Sequence, residues 1–175
     1  MRIRSTIIVN VATVLVFAGV AAICIKEVYL HSGPPRASES SNARIVVGEL
    51  LPPVAKYDWH SHRQTLLLAL RDGCHYCERS APFYRRLAAL ESSGVFRNVH
   101  ILAVFPDGAG IVSKVLESEQ LRVESVSSVD FHVLGVSGTP TAVLVDQAGK
   151  VLDVWRGELD ASREQTPIDR LRSAT

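Results

Sequence analysis

The stretch that most constrains this chain is Gly73-Cys74-His75-Tyr76-Cys77. Two of its three cysteines lie there, two residues apart, just after an apolar run from Thr65 to Leu70. A short apolar run with little alternation suits a strand buried on both faces at the centre of a parallel sheet. Asp72-Gly73 ends it, and a helical pattern begins at Cys77 and runs to about Ser92. Phe83, Leu87 and Leu90 mark its apolar side, with Arg79, Arg85, Arg86 and Glu91 on the other. Pro82 is expected to kink this helix by removing one donor, and Gly94 to stop it.

The apolar segment Val99 to Phe105 predicts the next strand, closed by Pro106-Asp107-Gly108, so the dithiol sits inside a βαβ unit. Ile111 to Leu121 has the pattern of a second amphipathic helix, and Val123 to Val129 has moderate strand character. Asp130 is placed to cap a short helical turn through Leu134. Thr141 to Val145 and Val151 to Trp155 read as a hairpin around Gln147-Ala148-Gly149. A last helix is expected from Asp160 or Ser162, with Pro167 either limiting it or beginning a second segment through Leu171. Before the first central strand, Ile45-Val46-Val47 predicts a short strand or hairpin, punctuated by Gly48 and Pro52-Pro53. The fold class implied is α/β, a mixed sheet with helices on both faces.

The N-terminus has a different character. Thr6 to Ile25 carries no charge, and twenty residues of helix span roughly 30 Å, about the thickness of the hydrocarbon layer. Arg2 and Arg4 precede the run, which favours a cytoplasmic N-terminus with the rest of the chain outside. Residues 1–30 are therefore expected to form an uncleaved membrane anchor. The alternative is a cleaved signal peptide with Gly19-Val20-Ala21 as its small-x-small site. A lipoprotein is disfavoured because Ile23 precedes Cys24. Residues 31–44, rich in Pro, Ser and Gly as far as about Asn42, read as a flexible linker, and residues 45–175 as the folded domain. From Ile45 to Thr175 there are 14 basic and 16 acidic side chains, with no basic stripe, so nucleic acid is not an expected partner.

With Cys24 in the apolar run, only Cys74 and Cys77 remain in the domain, too few for a disulfide scaffold. A zinc site would need further ligands, for which His60, His62 and His75 are the candidates, and no second cysteine pair exists. Covalent haem attachment requires His after the second cysteine, where this chain has Glu78. An inert disulfide is the plain alternative. Position favours a working dithiol: a thiolate at a helix N-terminus is stabilised by free N–H groups and the helix dipole. Cys74, ahead of the helix, is then the attacking thiol, and Cys77, inside the first turn, the buried resolving thiol.

Together these residues resemble the thioredoxin superfamily, and more narrowly the membrane-anchored, extracytoplasmic thioredoxin-like proteins of the TlpA and ResA group. Besides Cys74-His75-Tyr76-Cys77, the matching features are Pro82 five residues after the second cysteine, Gly138-Thr139-Pro140 ahead of a strand, and the hairpin sequence from Asp146 to Val151. The long segment Asp107 to Val136 suits that group's insertion. The resemblance covers roughly Ile45 to Arg172. It implies a thioredoxin-like fold and a membrane-tethered thiol–disulfide oxidoreductase on the periplasmic side, acting on exported protein thiols or disulfides. A reductase fed by a membrane redox partner is favoured over an oxidase. The Cys74–Cys77 disulfide would be the only redox group, with no metal. Pro140 would be cis and beside the dithiol, leaving the backbone at Thr139 free to pair with an extended substrate segment.

Several positions depart from the family pattern. Gly73 replaces the usual Trp. Leu68, six residues before Cys74, and Ser80, six after it, stand where relatives carry a buried acid, so the proton acceptor for Cys77 is unassigned. His75 could assist the thiolate if protonated, and Tyr76 could shape the substrate surface; the plain alternative is a solvent-exposed pair. A thiol peroxidase would need a lone activated cysteine, which the chain lacks. A metal-handling or redox-inert binding module, with His60, His62 and the dithiol as ligands, is the non-enzymatic alternative.

Overall fold

The computed structural model describes residues 44–54 and 57–173. The expected anchor, most of the expected linker and Cys24 lie outside the described residues. Among the described residues no helix is long and apolar enough to cross a membrane.

Five strands form one sheet in the order β3-β2-β1-β4-β5. They are β1 (Gln64–Ala69), β2 (Val99–Val104), β3 (Glu124–Val126), β4 (Thr141–Asp146) and β5 (Val151–Arg156). β1 is central, parallel to β2 and antiparallel to β4; β3 adds to β2 in parallel, and β4 and β5 form the hairpin. Leu66 to Ala69 are 0–1% exposed, which is why the run shows no polar alternation.

Successive side chains in the three central strands go to opposite faces. Leu66, Leu68, Ile101, Ala103 and Leu144 join one core, into which α1 (His75–Ser92), α2 (Ala109–Ser118) and α3 (Gln165–Arg172) also pack. Leu67, Ala69, Leu102, Val143 and Val145 join the other. Among the described residues no α-helix contributes to that second core. Its cover is Ile45 to Trp59 and Phe131 to Val136. This corrects the expectation of helices on both faces. After Asp130 the chain makes the short capped turn expected through Leu134 and does not extend it into a helix: the Asp130 carboxylate accepts from the His132 N–H, and the Asp130 carbonyl from the Leu134 N–H.

The segment from Ile45 likewise forms no strand. Gly48 and Leu51 donate to the Val151 and Gly149 carbonyls, so it runs beside the β4–β5 hairpin through isolated bonds. Pro52 and Pro53 supply no donors with which a ladder could continue. The last helix is the segment expected around Pro167 through Leu171 and not one that starts at Asp160 or Ser162. The Asp160 carboxylate accepts from Ser162 and Arg163 backbone N–H groups, capping the preceding turn, and Pro167 lies within the first turn of α3. α1 ends at Ser93 with Gly94 at φ +75°, and the Val95 N–H returns to the Leu90 carbonyl; glycine accepts that left-handed cap without a steric penalty.

At the end of the sheet far from the cysteines, His100 of β2 ties three elements together. Its Nδ1 lies 2.9 Å from Glu91 at the end of α1, and its Nε2 lies 2.9 Å from Glu124 of β3. Both contacts are hydrogen bonds only when the ring is doubly protonated. The bond to Glu91, more than the charge of either carboxylate, raises the His100 pKa above the ordinary imidazole value despite burial. His62 stacks on the same ring at 4.2 Å, and burial followed by the His100 charge lowers its pKa.

A raised histidine pKa contributes stability that is present in full below the unfolded value and is lost as pH rises through the folded one. Glu91 also accepts from the Ile101 N–H, so deprotonation should release Glu124 and the edge strand first. The urea midpoint of the wild-type protein is expected to fall as pH rises from just below the ordinary imidazole value through the folded His100 value. In His100→Gln that fall should disappear. A slope unchanged by the substitution contradicts the assignment. The opposite shift at His62 acts at lower pH, and in His100→Gln it loses the part that the His100 charge supplies.

Candidate active site

β1 delivers the chain to the site at its C-terminal end. Leu70 donates to the Val104 carbonyl, and the Asp72 N–H donates to the Asp107 carboxylate, 3.2 Å away, which pins the β1–α1 loop to the loop after β2. Gly73 follows at φ +64°. A side chain there would meet open space, so the left-handed backbone, which disfavours Trp and other L side chains, accounts for the glycine.

Cys74 is the N-cap of α1, which begins at His75, two residues earlier than the sequence pattern places it. The Cys74 Sγ accepts from the Cys77 N–H at 3.2 Å. α1 runs continuously through Pro82. Cys74 and Cys77 are joined as a disulfide with their Cα atoms 5.2 Å apart. The two sulfurs are not equivalent: Cys74 is half-buried, whereas Cys77 is 8% exposed and packed in the core.

The Thr139–Pro140 peptide is cis. Thr139 lies against Cys74, with its hydroxyl 3.3 Å and its carbonyl oxygen 3.6 Å from Sγ. Two contacts hold the turn: the Thr141 hydroxyl donates to the Gly138 carbonyl at 2.7 Å, and Gly157 donates to the Pro140 carbonyl at 2.8 Å. A thiolate on Cys74 would therefore meet the Cys77 N–H, the Thr139 hydroxyl and the positive end of α1, all of which favour the charged sulfur.

Four sequence candidates thus converge: Cys74, Cys77, Thr139 and Pro140. His75 and Tyr76 are exposed on the first turn, their rings 5.9 Å apart, and Tyr76 is 56% exposed. His60 and His62 do not join them. They precede β1, whose six residues rise roughly 20 Å before the cysteines follow. His60 pairs with Asp58 and His62 with His100. Among the described residues no group of three His, Cys, Asp or Glu side chains is placed to hold a metal ion. This corrects the alternative that drew on both histidines and the dithiol together.

Three features escape a reading of spacing alone. The Thr139 hydroxyl touches the sulfur. Arg79 of α1 forms a 3.0 Å ion pair with Glu158 in the loop after β5. A cleft beside Cys77 is walled by α1 and by α2 with the residues that follow it, Phe105 among its lining residues. Each joins residues far apart in the chain, and no local pattern announces them.

A buried central strand, a dithiol capping the following helix and a cis-proline turn against the first sulfur define a thioredoxin-like fold with a Cys-x-x-Cys disulfide. Solved structures of that class superpose on the chain. One is a thiol:disulfide interchange protein from Bacteroides sp., 17% identical, covering 72% of this chain and 90% of its own at a TM-score of 0.57. A second is the thioredoxin domain of a thiol-disulfide oxidoreductase from Bacteroides vulgatus, 16% identical, covering 74% and 99% at 0.57. A third is a DsbE-type thiol:disulfide interchange protein from Chlorobium tepidum, 23% identical, covering 66% and 83% at 0.55. No family model and no curated protein sequence matches the chain.

Proposed function

We propose that this protein is a membrane-tethered thiol–disulfide oxidoreductase that works outside the cytoplasm on the thiols or disulfides of exported proteins. The observation that carries the reading is the placement of Cys74 Sγ between the N-terminus of α1 and Thr139, with Cys77 buried behind it. The activities named for the structural neighbours support the same chemistry.

In the reducing direction, the Cys74 thiolate attacks a substrate disulfide and one substrate sulfur leaves. Cys77 then displaces the other substrate sulfur from Cys74, and the Cys74–Cys77 disulfide forms. The exposed pair His75 and Tyr76 borders the approach to Cys74, and the Thr139 backbone offers an extended substrate segment a pairing edge. The Cys74–Cys77 disulfide is the only redox group this cycle uses.

The apolar run Thr6 to Ile25, with Arg2 and Arg4 before it, supports an anchor that leaves the domain on the periplasmic side. A domain held there needs electrons from a partner in or across the membrane to act repeatedly as a reductase. We favour that direction on the resemblance to the TlpA and ResA group.

Equilibrating the full chain in detergent with glutathione redox buffers tests the assignment. A reductase is expected to equilibrate near the thioredoxin value of about −270 mV, whereas a value near about −120 mV would mark an oxidant. A dithiol that exchanges with no buffer, or that holds stoichiometric metal as purified, overturns the proposal.

A further inference from the structure

We propose that the cleft between α1 and the end of α2 is the proton exit of Cys77, and that Glu78 and Glu119, on its two walls, take the proton through water. The inference rests on the exchange reading above and identifies the base which that reading leaves open.

Resolution of the mixed disulfide requires a thiolate at Cys77. Its S–H proton passes to a carboxylate. The sulfur's electron pair then forms the bond to Cys74 Sγ as the bond from Cys74 to the substrate sulfur breaks. The substrate leaves as a thiolate and takes a proton from solvent. The cysteine pair is oxidised by two electrons and the substrate is reduced by two.

Among the described residues, Leu68, Ser80, Tyr84 and Thr139 point to one polar approach to Cys77. Leu68 is fully buried and apolar. The Ser80 hydroxyl donates to the Tyr76 carbonyl at 2.8 Å and is hydrogen-bonded to the Tyr84 side chain. Burial holds the Tyr84 phenol far above its ordinary pKa, so it stays neutral and takes no proton. Toward Cys74 lies Thr139, which does not titrate.

The cleft lies on the remaining side. Cys77, Ala81, Tyr84, Phe105, Leu116 and Leu121 line it, and about 60 Å³ within it has room for a few waters. Glu78, an exposed residue of α1, and Glu119, the residue capping α2, are on its lining; Arg71 and Asp72 are the other charged residues there. The Glu119 wall is fixed, because Arg85 of α1 donates to the Glu119 carbonyl at 2.8 Å. General base catalysis can run through a bridging water, which the volume of the cleft accommodates.

The test uses the full chain in a Cys24→Ala background, so that only the dithiol reports. The dithiol is reduced and Cys74 is loaded from the aryl disulfide of thionitrobenzoate, which expels one yellow thionitrobenzoate; release of the second equivalent times the attack by Cys77 from pH 4.5 to 8. In Glu78→Gln/Glu119→Gln, release is expected to slow by about tenfold or more in the acidic half of that range, and its pH profile to move upward. Loading of Cys74 should keep its wild-type rate, and Glu119→Asp should restore part of the loss. A double-variant profile superimposable on wild type overturns the inference, as does a shift produced only by Asp72→Asn. Should the double variant not fold, Glu119→Gln alone must slow release by at least about threefold at the acidic end. Failure of wild-type Cys74 to load at all would instead overturn the exchange reading.

Discussion

Cys74→Ser is expected to reduce turnover of a peptide-disulfide reporter by about a thousandfold or more, to the background of free thiols. Serine at that position keeps the cap on α1, since its hydroxyl can accept from the Cys77 N–H as Sγ does. The fold should survive, and thermal melting should stay close to that of the reduced wild-type protein, which lacks the Cys74–Cys77 disulfide as well. What is lost is the nucleophile that lies against Thr139 and the helix N-terminus. The lone Cys77 cannot substitute, because it is 8% exposed and sits behind the first turn of α1. Turnover by Cys74→Ser well above that background would mean that Cys77 can serve as the nucleophile, which its burial argues against.

The second large effect is on stability. Phe105 follows β2, is fully buried, and fills the core that carries α1 and α3. Its backbone also matters: the Phe105 N–H donates to Val126 and its carbonyl accepts from Val129, so it closes the inserted segment onto the sheet. Truncation to alanine removes the ring and leaves a cavity, at a cost of about 3–5 kcal/mol. That is a large share of the 5–15 kcal/mol a domain typically has. The melting temperature should fall by roughly 10 °C or more, a calorimetric observation. Val133→Ala is the control. Val133 is 63% exposed and should change stability by no more than about 0.5 kcal/mol. A Phe105→Ala melt within a degree or two of wild type would mean that this core is not packed as described.

These two predictions draw on different degrees of legibility. Thr65 to Leu70 is apolar without interruption because β1 is covered on both faces, so the central strand can be read directly. Phe83 and Leu87 recur at helical spacing because α1 lays one side on that sheet. Cys74 and Cys77 follow from their place between the two. The true start of α1 is less visible, since a cysteine sulfur acting as its own helix cap has no distinct spacing signal. The second face is less visible still. Phe131 to Val136 covers it with a single turn that the Asp130 side chain caps, and its apolar residues look much like those of a longer helix.

Contacts that join distant elements are beyond a local pattern altogether. The Thr139 hydroxyl at Cys74 and the walls of the Cys77 cleft are of this kind. The same applies to His62. Its sequence offers a metal ligand, while the fold stacks it on His100 at the opposite end of the sheet from the cysteines.

The central claim is that Cys74 attacks and Cys77 resolves, and trapping tests it most directly. Cys77→Ser in a Cys24→Ala background, mixed with a disulfide-bearing protein, is predicted to accumulate a covalent one-to-one complex. Mass mapping should place the link at Cys74, and dithiothreitol should release it. No complex, or equal trapping through Cys77 in the matching Cys74→Ser variant, would contradict the account.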